Sequence, residues 1–202
     1  GGVGSKLLQM LRICGFSPIV GVVGATSKVT ACKRLGADVV IDKSVEDLWT
    51  AAKKASPDGF LAIFDANGVS TLGDSYQHLT RNGKLVTYGF HSNIPKASQF
   101  INPFEWVKIV YKMLMMPKFD ALDMVLTSKT ISGFNLSFFA DEVGLIKIYM
   151  DQLLKWIECG QLTMDDVTLY DMNEVAKAHE HIQSGKSIGK IVVAVPKKSK
   201  FR

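Results

Sequence analysis

The residues best suited to chemistry stand at the start of the chain. Gly1-Gly2-Val3-Gly4 leads straight into a stretch of helical periodicity. Glycines let a backbone approach a pyrophosphate closely, and the N-terminus of the helix behind them offers free N–H groups and partial positive charge. In a dinucleotide-binding unit, an acidic residue about 20 residues further on takes the ribose 2′-hydroxyl of NAD. Here that place follows the apolar run ending at Val23 and holds Gly24, Ala25, Thr26, Ser27 and Lys28, with no carboxylate. Small and hydroxyl side chains beside an ammonium suit the extra 2′-phosphate of NADP, which a carboxylate would repel. Each feature also has a plainer reading: terminal glycines as a cloning remnant, Ser27 as a helix cap, Lys28 as a surface charge.

Two further clusters follow apolar runs, Asp65-Ala66-Asn67-Gly68 and Tyr88-Gly89-Phe90-His91. Ligands of open α/β sheets gather outside the carboxyl ends of strands, where both clusters fall. Taken singly, Asn67-Gly68 is also an ordinary turn, Gly89 a bend and Phe90 a core residue. Of the histidines His78, His91, His179 and His181, none has a partner pattern for zinc, so no metal site is expected. His179 and His181 lie two apart on a helix and face different ways. His91 is the histidine placed near a cofactor. No Tyr-x-x-x-Lys pair occurs and no Ser-His-Asp arrangement is suggested, so the catalytic residues stay unassigned. The methionines from Met113 to Met116 read as packing.

These clusters need a scaffold. Short apolar runs alternate with amphipathic stretches, the mark of βαβ units and a parallel sheet. Strands are predicted over 18–23, 38–42, 59–65, 84–88, 130–136 and 189–195. Val3, Leu7, Leu8 and Leu11 share one helix face, with Gly15 as the stop. Further helices are predicted over 27–35, 44–55, 70–81, 103–115, 141–159 and 173–183. Ser27, Ser44 and Asn173 are their expected caps where hydroxyl or amide side chains precede the helix. Pro57-Asp58-Gly59 and Asn82-Gly83 read as turns, 90–99 as a loop, and Pro117 as a break. No internal repeat or low-complexity linker interrupts the pattern.

The bulk composition sets the class. Hydrophobic residues at 47% against 21% charged describe a globular chain that can build a core, not a disordered one. Much of the +5 charge sits in Lys197, Lys198, Lys200 and Arg202, leaving the body close to neutral. That argues against a nucleic-acid groove and for a solvated tail. Cys14, Cys32 and Cys159 are odd in number and far apart, which implies neither a disulfide framework nor a metal site and fits a reducing, cytoplasmic setting. The sequon Asn135-Leu136-Ser137 is then without meaning. No apolar run approaches the ~18 residues of a membrane span, and no secretory signal is present. The first residue is not Met, so a processed or truncated product is expected.

Several phrases in fixed order resemble one family: Gly1-Gly2-Val3-Gly4 with Gln9 in the following helix; Leu35-Gly36-Ala37-Asp38 before Ile41-Asp42; Asn82-Gly83-Lys84-Leu85-Val86-Thr87-Tyr88-Gly89; and Gly185-Lys186-Ser187-Ile188-Gly189-Lys190. Together they resemble the quinone oxidoreductase branch of the medium-chain dehydrogenase/reductase family, which includes zeta-crystallin. Ile131-Ser132-Gly133-Phe134-Asn135-Leu136 is closer still to its synaptic vesicle amine-transport protein subgroup. The resemblance runs over nearly the whole chain.

It implies a Rossmann-like doubly wound parallel sheet over 1–140, incomplete at its start, and a segment 141–202 that returns to a catalytic domain. It implies an NADPH-dependent, zinc-free reductase of quinones or activated alkenes, or alternatively a non-catalytic nucleotide-binding or vesicle-associated scaffold of the same fold. On that pattern Gly2, Val3 and Gly4 meet the pyrophosphate. Gly24, Thr26, Ser27 and Lys28 surround the 2′-phosphate. Asn67 lies near the adenosine, Tyr88, Gly89 and Phe90 near the nicotinamide, and Phe134, Asn135 and Leu136 along its carboxamide, with Lys186 reaching the cofactor from the last loop. The strand near 130–136 implies a homodimer. One departure is Lys43, where the family often has Tyr packed on adenine. Another is the absence of the family's N-terminal domain and first cofactor-fold strand before Gly1, which makes the chain an expected fragment. A methyltransferase is disfavoured, because it too usually wants an acid after the second strand.

Overall fold

The computed structural model describes residues 1–89, 103–164 and 166–195, apart from the side chains of 103–105, 109, 112 and 113. Phe90, His91, the rest of the expected loop and the basic tail lie outside the described residues. The chain forms two compact units, Gly1–Leu48 with Gly144–Arg202, and Trp49–Val143.

In the first unit, helix α1 (Gly2–Ile13) leads to strand β1 (Val20–Val23), a 3-10 turn (Thr26–Lys28), helix α2 (Val29–Arg34) and strand β2 (Val39–Asp42). β1 and β2 pair in parallel, Val20 opposite Val39 and Val23 opposite Asp42. Apolar side chains drive the packing: Val23, Cys32 and Ala37 are buried, with Leu8, Val29 and Val40 against them. Gly21 is required here, because any Cβ would collide with the Cys32 sulfur. Burial also pushes the Cys32 thiol pKa up, so it behaves as a small apolar residue. Arg12 and the Ile19 N–H fix the two oxygens of Asp38 at 2.6 and 2.7 Å, tying α1 to the start of both strands.

The same unit is completed by α7 (Val143–Glu158), whose body from Gly144 belongs to it, and by β6 (Val167–Asp171), α8 (Val175–Gln183) and β7 (Lys190–Ala194). β6 and β7 pair in parallel around the α8 crossover. Gln9 of α1 is buried and accepts the Thr163 N–H at 2.8 Å, and Lys6 donates to the Thr163 carbonyl at 2.6 Å. Ile148 of α7 and Leu169 of β6 stand 63% and 68% exposed, which leaves apolar faces uncovered by the described residues.

The second unit holds the body of α3 (Leu48–Ala55), β3 (Phe60–Asp65), α4 (Leu72–Gln77), β4 (Leu79–Thr87), α5 (Pro103–Leu114), α6 (Ala121–Thr127) and β5 (Thr130–Gly133). Its parallel sheet runs β3-β4-β5. Leu72, Tyr76, Leu79 and Leu85 form the core, with Ile63, Phe119, Met124 and Ile131 packed on it. The buried Tyr76 hydroxyl, which needs a partner in such a core, donates to Asp123 at 2.8 Å.

The α/β class and parallel pairing agree with the sequence, while several boundaries differ for physical reasons. The helix expected over 70–81 shrinks to α4, because the Phe60 N–H bonds to the His78 carbonyl and Leu79 joins β3 in register. Asn82-Gly83 is not a free turn. Asn82 takes φ 61°, but both residues lie inside β4, where the register shifts between Phe60 and Ala62 of β3. Ser27 and Ser44 cap no helix. Ser27 falls within the 3-10 turn, and Ser44 binds Asp42, so α3 starts only at Leu48. Asn173 sits in a 3-10 turn that precedes α8. The strand expected over 130–136 ends at Gly133, and a short 3-10 turn follows at Leu136–Phe138. β6 and α6 carry no expectation from the sequence; α6 has a visible signal in Asp120, whose side chain accepts the Leu122 N–H at 2.9 Å.

Candidate dinucleotide site

Each unit carries its own constellation. In the first, the glycines open α1 as expected: helix begins at Gly2, and the first backbone bond inside the turn is Ser5 N–H to the Gly1 carbonyl. The N–H groups before Ser5 therefore have no intrahelical acceptor and are available to an anion. A Cβ on Gly4 would meet nothing within 4 Å, whereas one on Gly2 would stand 3.2 Å from the Gly189 carbonyl. Gly4 thus borders open space, and Gly2 lets the α8–β7 loop approach. Gly185-Lys186-Ser187-Ile188-Gly189 has the spelling of a nucleophile elbow, but it joins a helix to a strand rather than a strand to a helix.

Lys28 links this loop to the turn after β1. Its ammonium donates to the Gly185 carbonyl, while the Lys186 N–H donates to the Ser184 hydroxyl at 3.1 Å. Gly2, Lys28 and Lys186 are thereby gathered within one unit. Thr26 has a different engagement from any its spacing suggests: its hydroxyl donates to Asp42 at 2.5 Å. Asp42 is buried and also accepts from the Ser44 hydroxyl and N–H. These bonds, the Ser44 hydroxyl first, hold its carboxyl below the usual carboxylate range. Asp42 is a residue that sequence reasoning did not single out; the Asp-x-Ser spacing of an Asx turn was its available signal.

In the second unit, three loops leave the carboxyl ends of β3, β4 and β5 side by side. Asp65 is buried and organises the first. One oxygen accepts the N–H groups of Asn67 and Gly68 at 2.8 and 3.0 Å, the other the hydroxyls of Thr71 and Ser75 at 2.6 and 2.9 Å. The second loop packs directly on it: a Cβ on Gly89 would stand 2.8 Å from the Ala66 carbonyl, so this position needs glycine. Tyr88 is half-buried, and burial, then the Asp65 carboxylate, pushes its phenol pKa up. It stays a neutral hydroxyl at physiological pH. The third loop joins through the Phe134 N–H, which donates to the Thr87 carbonyl at 2.9 Å. Asn135 caps the following 3-10 turn through Ser137, Phe134 packs on Phe139 at 5.8 Å, and Leu136 is exposed. The structure therefore brings Asn67, Tyr88, Gly89, Phe134, Asn135 and Leu136 to one end of one sheet.

The residues present fit a nucleotide cofactor on observations of this structure. The first turn of α1 has N–H groups without intrahelical acceptors beside the unobstructed Gly4, and Gly89 leaves no side chain at its loop. The Thr87 hydroxyl, at the end of β4, is buried with no hydrogen-bond partner among the described residues, and such an orphan calls for a polar ligand atom or water. Among the described residues, no group of three His, Cys, Asp or Glu side chains is placed to hold a metal ion.

Parallel strands with helical crossovers, a glycine turn opening a helix, and loops at strand carboxyl ends define an α/β dinucleotide-binding unit of the Rossmann type. Residues 35–193 match the zinc-binding dehydrogenase family, and the chain belongs to it. Within the medium-chain dehydrogenases/reductases it falls in the quinone oxidoreductase and VAT-1-like branch. It is 27% identical over 197 residues to a probable quinone oxidoreductase of Leishmania amazonensis, covering 96% of this chain and 54% of that protein. To the human synaptic vesicle membrane protein VAT-1 homolog it is 28% identical over 195 residues, covering 96% and 48%. The chain thus spans about half the length of these relatives. In fold it is similar to the Escherichia coli quinone oxidoreductase complexed with NADPH, with a TM-score of 0.74 at 20% identity, covering 96% of this chain and 54% of that one. A mycobacterial protein complexed with NADPH gives 0.73 at 23% identity, with the same coverage.

Proposed function

We propose that this chain is the NADPH-holding part of a reductase that delivers hydride to quinones or activated alkenes. The observation that carries the reading is the end of β1. Gly24 stands where an NAD-specific unit has its carboxylate, and the Lys43 side chain lies beside it. The relatives support the substrate class, for they include proteins named quinone oxidoreductase and prostaglandin reductase 1. Nicotinamide, when bound, supplies the hydride; the protein supplies orientation and electrostatics.

On this reading Gly2, Val3 and Gly4 hold the pyrophosphate, and the turn of Gly24, Thr26, Ser27 and Lys28 borders the 2′-phosphate. Asn67 stands at the adenosine. Tyr88, Gly89 and Phe90 face the nicotinamide, Phe134, Asn135 and Leu136 line its carboxamide, and Lys186 reaches over the cofactor. Residues 1–140 act as the cofactor domain, and 141–202 pack their exposed apolar faces on the catalytic part of the whole protein. No helix is long and apolar enough to cross a membrane among the described residues, and we place the protein in the cytoplasm. β5 pairs only with β4 among the described strands, and its other edge is the proposed seam of a homodimer. Sedimentation of the whole protein as a monomer at all concentrations would overturn that seam.

The test of the cofactor reading is titration with NADPH and with NADH, followed by cofactor fluorescence. Tighter binding of NADPH is expected, and no preference between the two refutes it. A second reading, a scaffold that binds nucleotide without turnover, is favoured by the similarity to the VAT-1 homologs. NADPH oxidation by the whole protein with a panel of quinones separates the two readings, since binding without oxidation selects the scaffold.

A further inference from the structure

The turn after β1 distributes its charges unevenly. Lys28, the cation nearest in sequence to Gly24, is already committed to the Gly185 carbonyl. The Thr26 hydroxyl is committed to Asp42. The Asp42 carboxylate in turn accepts from Thr26 and Ser44 and makes no ion pair among the described residues. The residue left to meet an anion is Lys43. It follows β2 directly, and its N–H donates to the Val23 carbonyl at 3.0 Å, which sets it beside Gly24. Its Cε lies 3.5 Å from where a Cβ on Gly24 would be, so the side chain runs beside the bare glycine. The Lys43 ammonium makes no hydrogen bond or ion pair among the described residues, and neither does the Ser27 hydroxyl.

We infer that Lys43, lying beside Gly24, is the residue that selects the 2′-phosphate of NADPH over the free ribose of NADH, and that Lys28 is a positioning residue that holds the 184–186 turn. The inference rests on the dinucleotide reading above and sharpens it. A phosphate monoester is close to a dianion at neutral pH and gains a charge-assisted hydrogen bond from an ammonium; a ribose hydroxyl gains much less. An ammonium already bound to a carbonyl has less to offer.

The experiment is calorimetric titration of the full chain and its variants with NADPH and with NADH, reading the ratio of the two affinities. Lys43→Ala is expected to lower the preference for NADPH about tenfold, while Lys43→Arg keeps it. Lys28→Ala is expected to weaken both cofactors alike, because the turn it holds serves both. Gly24→Asp adds a gain of function. Its Cβ has only ordinary contact with Lys43, and its carboxylate pairs with that ammonium and turns the preference toward NADH. If Lys43→Ala leaves the ratio unchanged, or Lys28→Ala lowers it as much, the assignment fails while the dinucleotide reading stands. If the unaltered chain binds neither cofactor, the dinucleotide reading fails and takes the assignment with it.

Discussion

Removing the Asp65 carboxylate tests how the second constellation is held together. In Asp65→Ala the N–H groups of Asn67 and Gly68 and the Ser75 hydroxyl lose their acceptor in a buried place. Thr71 fares better, since its hydroxyl has the Gly68 carbonyl at 3.3 Å to fall back on. Three orphaned donors at the lower end of 1–3 kcal/mol each predict a loss of about 3 kcal/mol. Asp65→Asn keeps an oxygen toward the two N–H groups and turns its amide toward the hydroxyls, which rotate to accept. It is expected to cost about 1–2 kcal/mol. Urea unfolding followed by tryptophan fluorescence reads this directly, because Trp49 stacks on His78 within the same unit at 4.7 Å. The expected signature is a lower midpoint at unchanged slope. An alanine variant within about 1 kcal/mol of the parent would refute the hydrogen-bond reasoning. So would an asparagine variant as unstable as the alanine, for then charge, and not the number of acceptors, is what matters.

Gly59→Ala forces a side chain onto φ +94° and sets a Cβ 2.7 Å from the Thr80 amide nitrogen; a loss of about 3 kcal/mol in urea unfolding is expected. Gln9→Ala leaves the Thr163 N–H without its acceptor, and thermal unfolding should show about 1–2 kcal/mol of destabilisation. The Asp38 carboxyl is held below its usual range, chiefly by the Ile19 N–H and then by Arg12. A depressed folded pKa stabilises above the unfolded value of about 3.9 and loses that stabilisation as pH falls through the folded one. The urea midpoint should therefore drop on acidification below about pH 4, and drop less steeply in Asp38→Asn. Equal slopes for the two proteins would contradict the assignment.

Elements with strong local signals were legible in the sequence. The glycine turn with its amphipathic helix, the apolar strand cores and the stop at Gly160 need only neighbours a few residues away. The short α4 was not. The residues from His78 to Arg81 have no local reason to leave the helix; they leave because β3 offers its edge, and strand pairing overrides a weak local preference. β6 escaped notice because its five residues acquire meaning only beside β7, some twenty residues on. The same division holds within the site. The sequence by itself determined which groups are available: glycines that admit a pyrophosphate, no carboxylate directly after Val23, and Thr26, Ser27 and Lys28 in its place. Tertiary structure alone decided their employment. Asp42, sixteen residues away, takes the Thr26 hydroxyl, and Gly185, 157 residues away, takes the Lys28 ammonium. Hydrogen bonds of that sequence separation depend on how sheets and helices pack, and no local pattern encodes them. Among the described residues of that corner they leave Lys43, beside the bare backbone of Gly24, open to a ligand.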